Sequence, residues 1–127
     1  MTAWTEGELL LLDGAHSLVL SVGDGTHPGV EVGMVVVRGD LHVRAARGTT
    51  SRWYRAAQEH GHGRVRVGDR DWDVLVETGG DRPAGAVDAA YRAKYGASAA
   101  LLAAPRSQAA TLRIRPAHPG PMRLAED

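Results

Sequence analysis

The sequence predicts a small α+β domain in which about six mainly antiparallel strands roll into a barrel or half-barrel, with about three helices against them. Three observations carry this prediction. Apolar residues make up 43% of the 127 residues, which suits one hydrophobic core. Short valine- and leucine-rich segments are separated by glycine-containing turns, as in hairpin-linked strands. Stretches with helical signals end at glycines. Closing such strands on themselves removes exposed strand edges.

Composition excludes several classes of function. The chain has no cysteine, which rules out disulfides, thiolate chemistry and cysteine-ligated metals. No apolar run approaches the roughly 20 residues that span a bilayer, and the first residues lack the basic region of a signal peptide. A net charge of zero and few aromatic residues give little support for nucleic-acid binding. We therefore expect a cytoplasmic protein that binds neither nucleic acid nor membrane.

The first third of the chain predicts one helix and two strands. Thr5 and Glu8 form a capping box that starts a helix running to about residue 13. Residues 17–22 then alternate as a strand does, and residues 30–38 predict a second, continuous strand. Three consecutive valines at 35–37 indicate that this strand is covered on both faces or packs under a partner.

The organising element is a strand, a polar turn and a helix between residues 41 and 60. A two-residue turn at 39–40 leads into the strand, whose odd-numbered residues 41, 43 and 45 share one face. His42 and Arg44 share the opposite face. A helix is predicted from Arg52 to residue 60, with Thr50 or Ser51 accepting a backbone N–H bond as its cap and Gly61 ending it.

The C-terminal half predicts a hairpin, one long helix and a last strand. A short helix closed by Pro105 is a further prediction within residues 97–106. These elements complete a single domain over residues 1–116, followed by a disordered tail over residues 117–127. The predicted segments are strands 63–67 and 71–77, helix 86–95 and strand 111–115.

The start of the helix at residue 52 is the best candidate for a binding site. A helix start carries free N–H groups and partial positive charge, which favour an anion. Arginine suits the capture of phosphate or carboxylate, and four arginines, at positions 44, 47, 52 and 55, surround this start. Trp53 and Tyr54 place aromatic rings beside it. We expect Arg44 to point out of the barrel and to converge with Arg47 on this helix start.

Other side chains carry less information. His60 and His62 form a close pair, but two imidazoles without a third ligand do not define a metal site. We therefore predict no metal. His42 is the candidate catalytic base if the cleft holds an enzyme of another class, with Arg44 as its anion clamp.

Three segments of the chain resemble a bacterial family of unknown function within the split β-barrel proteins. That family lies near the flavin binders similar to pyridoxamine-phosphate oxidase and near the deazaflavin-dependent nitroreductases. The resemblance covers roughly residues 4–116. It rests on LHVRAARGTTSRWYRAAQEHGHGRVRVGDRDWDVLVE at 41–77, VDAAYRAKYG at 87–96 and ATLRIRP at 110–116.

The resemblance implies a split β-barrel and a cofactor site on the same strand–turn–helix. In the deazaflavin group a similar element helps hold the phosphate end of the cofactor. In this chain that correspondence falls on Val43, Arg44, Gly48, Trp53 and Tyr54. Taken together with the argument from the helix start, the candidate cofactor-binding residues are Arg44, Arg47, Gly48, Thr49, Thr50, Ser51, Trp53 and Tyr54.

Three hypotheses for function stay open. The first is an oxidoreductase that uses FMN or a deazaflavin, whose ring carries the redox chemistry. The second is a cofactor-free dimeric module that binds a small anionic molecule. The third is an enzyme of another class in the same cleft.

Two structural expectations complete the analysis. We expect a homodimer, because the valines at 35–37 need more cover than three short helices supply. We also expect eleven side chains to be mostly buried: Leu18, Leu20, Val35, Val37, Val43, Val65, Val67, Val74, Val76, Leu112 and Ile114.

Overall fold

The structure, a computed structural model, describes residues 3–23, 29–78, 84–97, 99 and 105–117. These residues form seven strands and four α-helices, with a 3₁₀ turn at Gly48–Thr50, which confirms the α+β class. In chain order the elements are α1 (Glu6–Gly14), β1 (Leu18–Val22), β2 (Val30–Val32), β3 (Met34–Val37), β4 (Asp40–Arg44), α2 (Arg52–His60), β5 (His62–Val67), β6 (Arg70–Glu77), α3 (Ala84–Tyr95), α4 (Pro105–Ala109) and β7 (Thr111–Pro116).

The seven strands make one sheet in the order β2-β1-β5-β6-β7-β4-β3, and every neighbouring pair is antiparallel. The two edge strands, β2 and β3, follow each other in the chain and are separated by Gly33 alone. The sheet therefore curls until its two edges meet at that residue, which gives a nearly closed barrel. This arrangement confirms the predicted barrel of antiparallel strands, with one strand more than expected.

The additional strand arises because the predicted strand over residues 30–38 is two strands. It pairs with β1 up to residue 32 and with β4 from Met34 onward, so the chain changes partner at Gly33. A side chain at Gly33 would lie 3.1 Å from the Tyr95 ring. Tyr91 Oη donates to the Gly33 carbonyl at 3.1 Å, and the Met34 N–H donates to Tyr95 Oη at 2.9 Å. Lys94 Nζ donates to the Met34 carbonyl at 2.9 Å, so the end of α3 satisfies backbone groups at this junction.

Two further boundaries differ from prediction. The β3–β4 turn lies at Arg38 and Gly39, whose φ angles are 54° and 84°, because Val37 pairs with Asp40 across it. Positive φ at both central residues is what a tight hairpin turn of this hand requires. Pro105 begins α4, because the first helical position tolerates proline, whose missing N–H would be unbonded there anyway, and residues 100–104 of the helix predicted before it lie outside the described residues.

The main core fills the barrel. It holds side chains from six strands, from α1 and α2, and from Trp4, whose Nε1 donates to the Ile114 carbonyl at 2.9 Å. The predicted capping box of α1 is present, with Thr5 and Glu8 bonded reciprocally. Of the eleven side chains predicted to be buried, ten are buried and Val67 is half-buried.

A second, smaller core lies outside the barrel, where α3 covers β3. It consists of Val35, Val37, Val87, Tyr91 and Ala99. The valine run is thus covered on both faces within one chain, because the half-buried Val36 packs against the main core. The dimer was predicted because the valines need cover on both faces, and one chain provides that cover by itself. The dimer itself stays a prediction.

Some predictions fall outside the described residues. They are most of segment 97–106 and the tail beyond residue 117. Ala117, the last described residue, donates its N–H to the Asp73 carbonyl at 2.8 Å. None of the helices within the described ranges is long and apolar enough to span a membrane.

Candidate functional site

A cleft of about 780 Å³ opens at the amino end of α2; we call it the amino-end cleft. One wall comes from the junction of β2 and β3, and the other from the turn and first residues of α2. The lining residues are Glu31, Val32, Gly33, Arg44, Ala46, Arg47, Thr50, Ser51, Arg52 and Trp53. Five of the eight predicted cofactor-binding residues therefore line one cavity. They are Arg44, Arg47, Thr50, Ser51 and Trp53.

The turn between β4 and α2 aims the helix start into this cleft. Gly48 has a φ of 76°, which glycine adopts without a steric penalty, and its N–H donates to the Ala45 carbonyl at 2.9 Å. The Ser51 N–H donates to the Gly48 carbonyl at 3.1 Å, which closes the 3₁₀ turn. The chain therefore reverses within a few residues and enters α2 with a fixed direction.

The helix start is uncapped, contrary to prediction. Ser51 occupies the cap position, but its hydroxyl makes no capping bond, and the Thr50 hydroxyl donates to the Arg47 carbonyl at 3.1 Å instead. The first helical N–H to find a helical acceptor is that of Arg55, which bonds the Ser51 carbonyl at 3.0 Å. Within the described ranges, the three preceding N–H groups, at residues 52–54, have no protein acceptor.

The Ser51 side chain is the most informative group in the cleft. Ser51 is only 7% exposed, lines the amino-end cleft and makes no hydrogen bond through its hydroxyl to another described residue. A hydroxyl can both donate and accept hydrogen bonds, so this side chain can bond a ligand atom that enters the cleft.

The charge around the helix start is mainly positive. Arg47 and Arg52 are exposed and line the cleft on the side of α2. Glu31 lies on the opposite wall, where it accepts a hydrogen bond from Ser17 Oγ at 2.5 Å. Two guanidinium groups and three N–H donors thus outweigh one carboxylate, and the cleft favours an anion at its helical side.

Arg44 needs a correction. It points out of the barrel as predicted, but its side chain is 0% exposed because α3 covers that face. Its Nε donates to Thr111 Oγ1 at 2.9 Å, and its Nη1 forms an ion pair with Asp88. The guanidinium also lies 5.9 Å from the centre of the Tyr91 ring. These contacts direct Nε to β7 and Nη1 to α3. The expectation that the Arg44 guanidinium converges with Arg47 on the helix start is therefore wrong for these two nitrogens.

The network around Arg44 continues into α4. Gln108 Nε2 donates to the second Asp88 oxygen at 2.8 Å, and Thr111 Oγ1 donates to the Gln108 carbonyl at 2.8 Å. Ser107 Oγ donates to the Ala46 carbonyl at 3.3 Å, beside the cleft. Polar contacts therefore join α3 and α4 to the floor of the cleft, which sequence reasoning missed.

His42 lies beneath α3 and not at a described cleft. It is 1% exposed and sits directly opposite Val35, whose side chain belongs to the outer core. A catalytic base must come within hydrogen-bond reach of the proton that it removes. The structure therefore gives the candidate base no access to a substrate in the amino-end cleft.

The remaining predicted residues have separate places. Gly48 shapes the turn, and Thr49 is exposed without lining the cleft. Tyr54 is buried in the main core, and its hydroxyl donates to the Ala109 carbonyl at 3.4 Å. Tyr54 therefore anchors α2, whereas Trp53, half-buried, packs on the core and also lines the cleft.

The histidine pair lies at the far end of α2. The two rings are 6.2 Å apart, and His60 Nε2 lies 3.6 Å from a Glu59 carboxylate oxygen. Across the part of the chain that the structure describes, no three histidine or carboxylate side chains cluster as a metal site requires.

Comparison with known proteins identifies a family but no activity. Residues 17–114 match the family described as "Uncharacterized protein conserved in bacteria (DUF2255)". A search of curated proteins gives no significant match. Among solved structures, the crystal structure of conserved hypothetical protein Rv2991 from Mycobacterium tuberculosis is similar, with a TM-score of 0.58 and 10% sequence identity. The similarity covers 90% of this chain and 80% of that one, and at this identity it concerns the fold alone.

Proposed function

We propose that this chain, which belongs to the uncharacterized bacterial family DUF2255, binds a small phosphate-bearing molecule of the flavin type in the amino-end cleft. The observation that carries the proposal is the uncapped start of α2. There Ser51, whose hydroxyl makes no capping bond, and three N–H groups without a protein acceptor among the described residues lie at a cleft flanked by Arg47 and Arg52. Helix starts of this kind hold phosphate well.

The cleft suits such a ligand in size and in composition. A volume of about 780 Å³ falls within the roughly 300–1,000 Å³ typical of small-molecule sites. Trp53, the second residue of α2, lines the cleft beside the helix start. Ser51, Arg47 and Arg52 would hold the phosphate of FMN or a deazaflavin, and the bound ring would supply the hydride chemistry of an oxidoreductase. The resemblance to pyridoxamine-phosphate-oxidase-like and deazaflavin-binding proteins supports the same proposal.

Titration calorimetry tests the proposal directly. We expect FMN and inorganic phosphate to bind the wild-type protein and to compete with each other. Ser51→Ala should weaken both ligands by roughly 3- to 30-fold, because one hydrogen bond to a charged group is lost. Arg92→Ala is the matched control for Arg47→Ala, since Arg92 is exposed on α3 and lines none of the clefts described here.

Each outcome separates the hypotheses. Binding of phosphate without FMN would favour the cofactor-free module for small anions over the oxidoreductase. Failure of the wild-type protein to bind either ligand at millimolar concentration would end the proposal. Equal losses in Arg47→Ala and Arg92→Ala would show that only net charge matters and that no built site exists.

We also keep the homodimer as a proposal, in which a second copy would enclose the open side of the cleft. Split barrels that resemble this chain usually build ligand clefts between subunits. Sedimentation velocity at micromolar concentration is the test, and a stable monomer would contradict it.

A further inference from the structure

One helix outside the barrel contacts residues on both sides of the amino-end cleft. None of the described residues that line this cleft belongs to α3. Side chains of α3 nevertheless bond Gly33, at the strand junction that forms one wall, and Arg44, which precedes the turn that forms the other. The shape of the cleft therefore depends on a helix that does not line it.

Tyr91 is the side chain of α3 that reaches both of these residues. Its hydroxyl donates to the Gly33 carbonyl at 3.1 Å. Its ring centre lies 5.9 Å from the Arg44 guanidinium, within the range of a cation–π contact. Tyr91 is fully buried, so bulk water does not compete for either contact. One side chain thus connects the strand junction with the last residue of β4.

The strand register shows that Tyr91 acts where two strands part. The last pair of the β3–β4 ladder is Met34 with Val43. Gly33 and Arg44 are the next residues on the two strands beyond that pair. At Gly33 the chain passes to β2, which pairs with β1, and beyond Arg44 it enters the turn to α2. The Tyr91 hydroxyl therefore lies at the point from which the two walls diverge.

Two neighbours on α3 hold the same strand junction. Tyr95 Oη accepts the Met34 N–H at 2.9 Å, and Lys94 Nζ donates to the Met34 carbonyl at 2.9 Å. These bonds fix the backbone of Met34, so the Gly33 carbonyl that precedes it has a fixed direction toward Tyr91. The contact between this tyrosine and the junction is therefore supported on both sides of the peptide bond.

The Tyr91 phenol keeps the proton that it donates. Burial raises the pKa of Tyr91, and the neighbouring Tyr95 raises it further. A hydrogen bond with the Arg44 backbone and the charge of that arginine act in the opposite direction but do not cancel the effect of burial. The bond to the Gly33 carbonyl is therefore present throughout the neutral pH range.

We propose that Tyr91 is a positioning residue of the amino-end cleft, which holds the strand junction at Gly33 against the end of β4 and so sets the separation of the two walls. It touches no ligand. Walls that are already in place spare a ligand the cost of ordering them, and that saving appears as affinity. The gain in affinity rests on the proposed function, whereas the positioning itself does not.

Amide ¹H–¹⁵N spectra of the ligand-free protein test the positioning. Tyr91→Phe keeps the buried ring and removes only the hydroxyl. We expect resonance shifts at Val32 and Arg47, which line opposite walls and are not among the described contacts of Tyr91. Trp4→Phe is the matched control, because it also removes a buried donor to a backbone carbonyl, on β7, and it should leave both resonances in place.

Calorimetry with inorganic phosphate measures the consequence for binding. We expect Tyr91→Phe to bind phosphate roughly 2- to 10-fold more weakly than wild type, and Trp4→Phe to bind it as tightly as wild type. A loss of the same size in both variants would overturn the inference, because lost stability alone would then explain the weaker binding.

The inference and the proposed function fail differently. Resonance shifts confined to the residues that Tyr91 contacts would show that it does not set the walls, and the inference would be wrong whatever the protein binds. Shifts on both walls with unchanged affinity for phosphate would also contradict it. If the wild-type protein binds no phosphate, the proposed function fails, and the spectra alone decide whether Tyr91 positions the walls.

Discussion

The buried ion pair between Arg44 and Asp88 gives the sharpest prediction about stability. The side chain of Arg44 is fully buried, and that of Asp88 is 15% exposed. Arg44→Ala leaves the Asp88 carboxylate without its guanidinium in a site that is largely shielded from water. It also removes the donor to Thr111. The substitution therefore perturbs folding before it perturbs any ligand.

The magnitude follows from the burial. Removing one partner of a buried pair costs about 3–5 kcal/mol, against about 0–1 kcal/mol for an exposed pair. For a domain of this size each kcal/mol lowers Tm by roughly 3–5 °C, so Arg44→Ala should melt some 10–20 °C below wild type. Arg64→Ala is the control, because it breaks an exposed pair with Asp73, 3.2 Å long, on β5 and β6.

The assay is urea denaturation and thermal melting, followed by circular dichroism. Arg44→Met with Asp88→Leu should recover much of the loss, since replacing both buried charges by apolar groups is often neutral. If Arg44→Ala costs less than about 1 kcal/mol, no more than an exposed pair, the pair is not desolvated and our account of how α3 is held is wrong.

Three other predictions concern single groups. Gly63→Ala should destabilise the protein by more than about 1 kcal/mol, because its Cβ would lie 2.3 Å from a β1 carbonyl oxygen, whereas Gly85→Ala, with open space, should be neutral or stabilising; urea titration compares the two. Tyr95→Phe should cost about 1–3 kcal/mol in the same assay, because the Met34 N–H loses its acceptor; an unchanged midpoint would contradict the role of α3 at the strand junction. Burial raises the pKa of Glu77, but hydrogen bonds from two arginines outweigh it and hold that pKa below the ordinary 4.5. Glu77 therefore adds stability above pH 4.5 that is lost as pH falls through its lowered pKa, so Glu77→Gln should differ from wild type at pH 7 and converge with it in acid; a difference that grows in acid would refute the sign.

Local signals predicted the elements that depend on neighbours in sequence. The helix over residues 52–60 was predictable because a polar turn precedes it and Gly61, with a φ of 72°, ends it. The buried faces of the strands followed from alternation, because side chains alternate in every strand whatever its partner. The gathering of Arg47, Ser51 and Trp53 at one cleft followed from the same local geometry.

The features that the sequence did not reveal depend on distant contacts. Arg44 bonds Asp88, 44 residues away in the chain, and alternation of residues says nothing about which helix covers that face. The break at Gly33 is equally hidden, since valines lie on both sides of it while the strand changes partner. Ser51 occupies the cap position as predicted and lines the cleft, but its hydroxyl makes no capping bond, which only the turn conformation decides.

Amide resonances measured during a phosphate titration test the central claim most directly. The claim is that an anion binds the free N–H groups at the start of α2, beside the Ser51 hydroxyl. In ¹H–¹⁵N spectra we predict saturable shifts for the amides of Arg52, Trp53 and Tyr54, with one dissociation constant. The amides of β5 lie at another cleft that has its own arginines, and their resonances should not shift. Shifts that are absent at the helix start, or as large on β5, would contradict the claim.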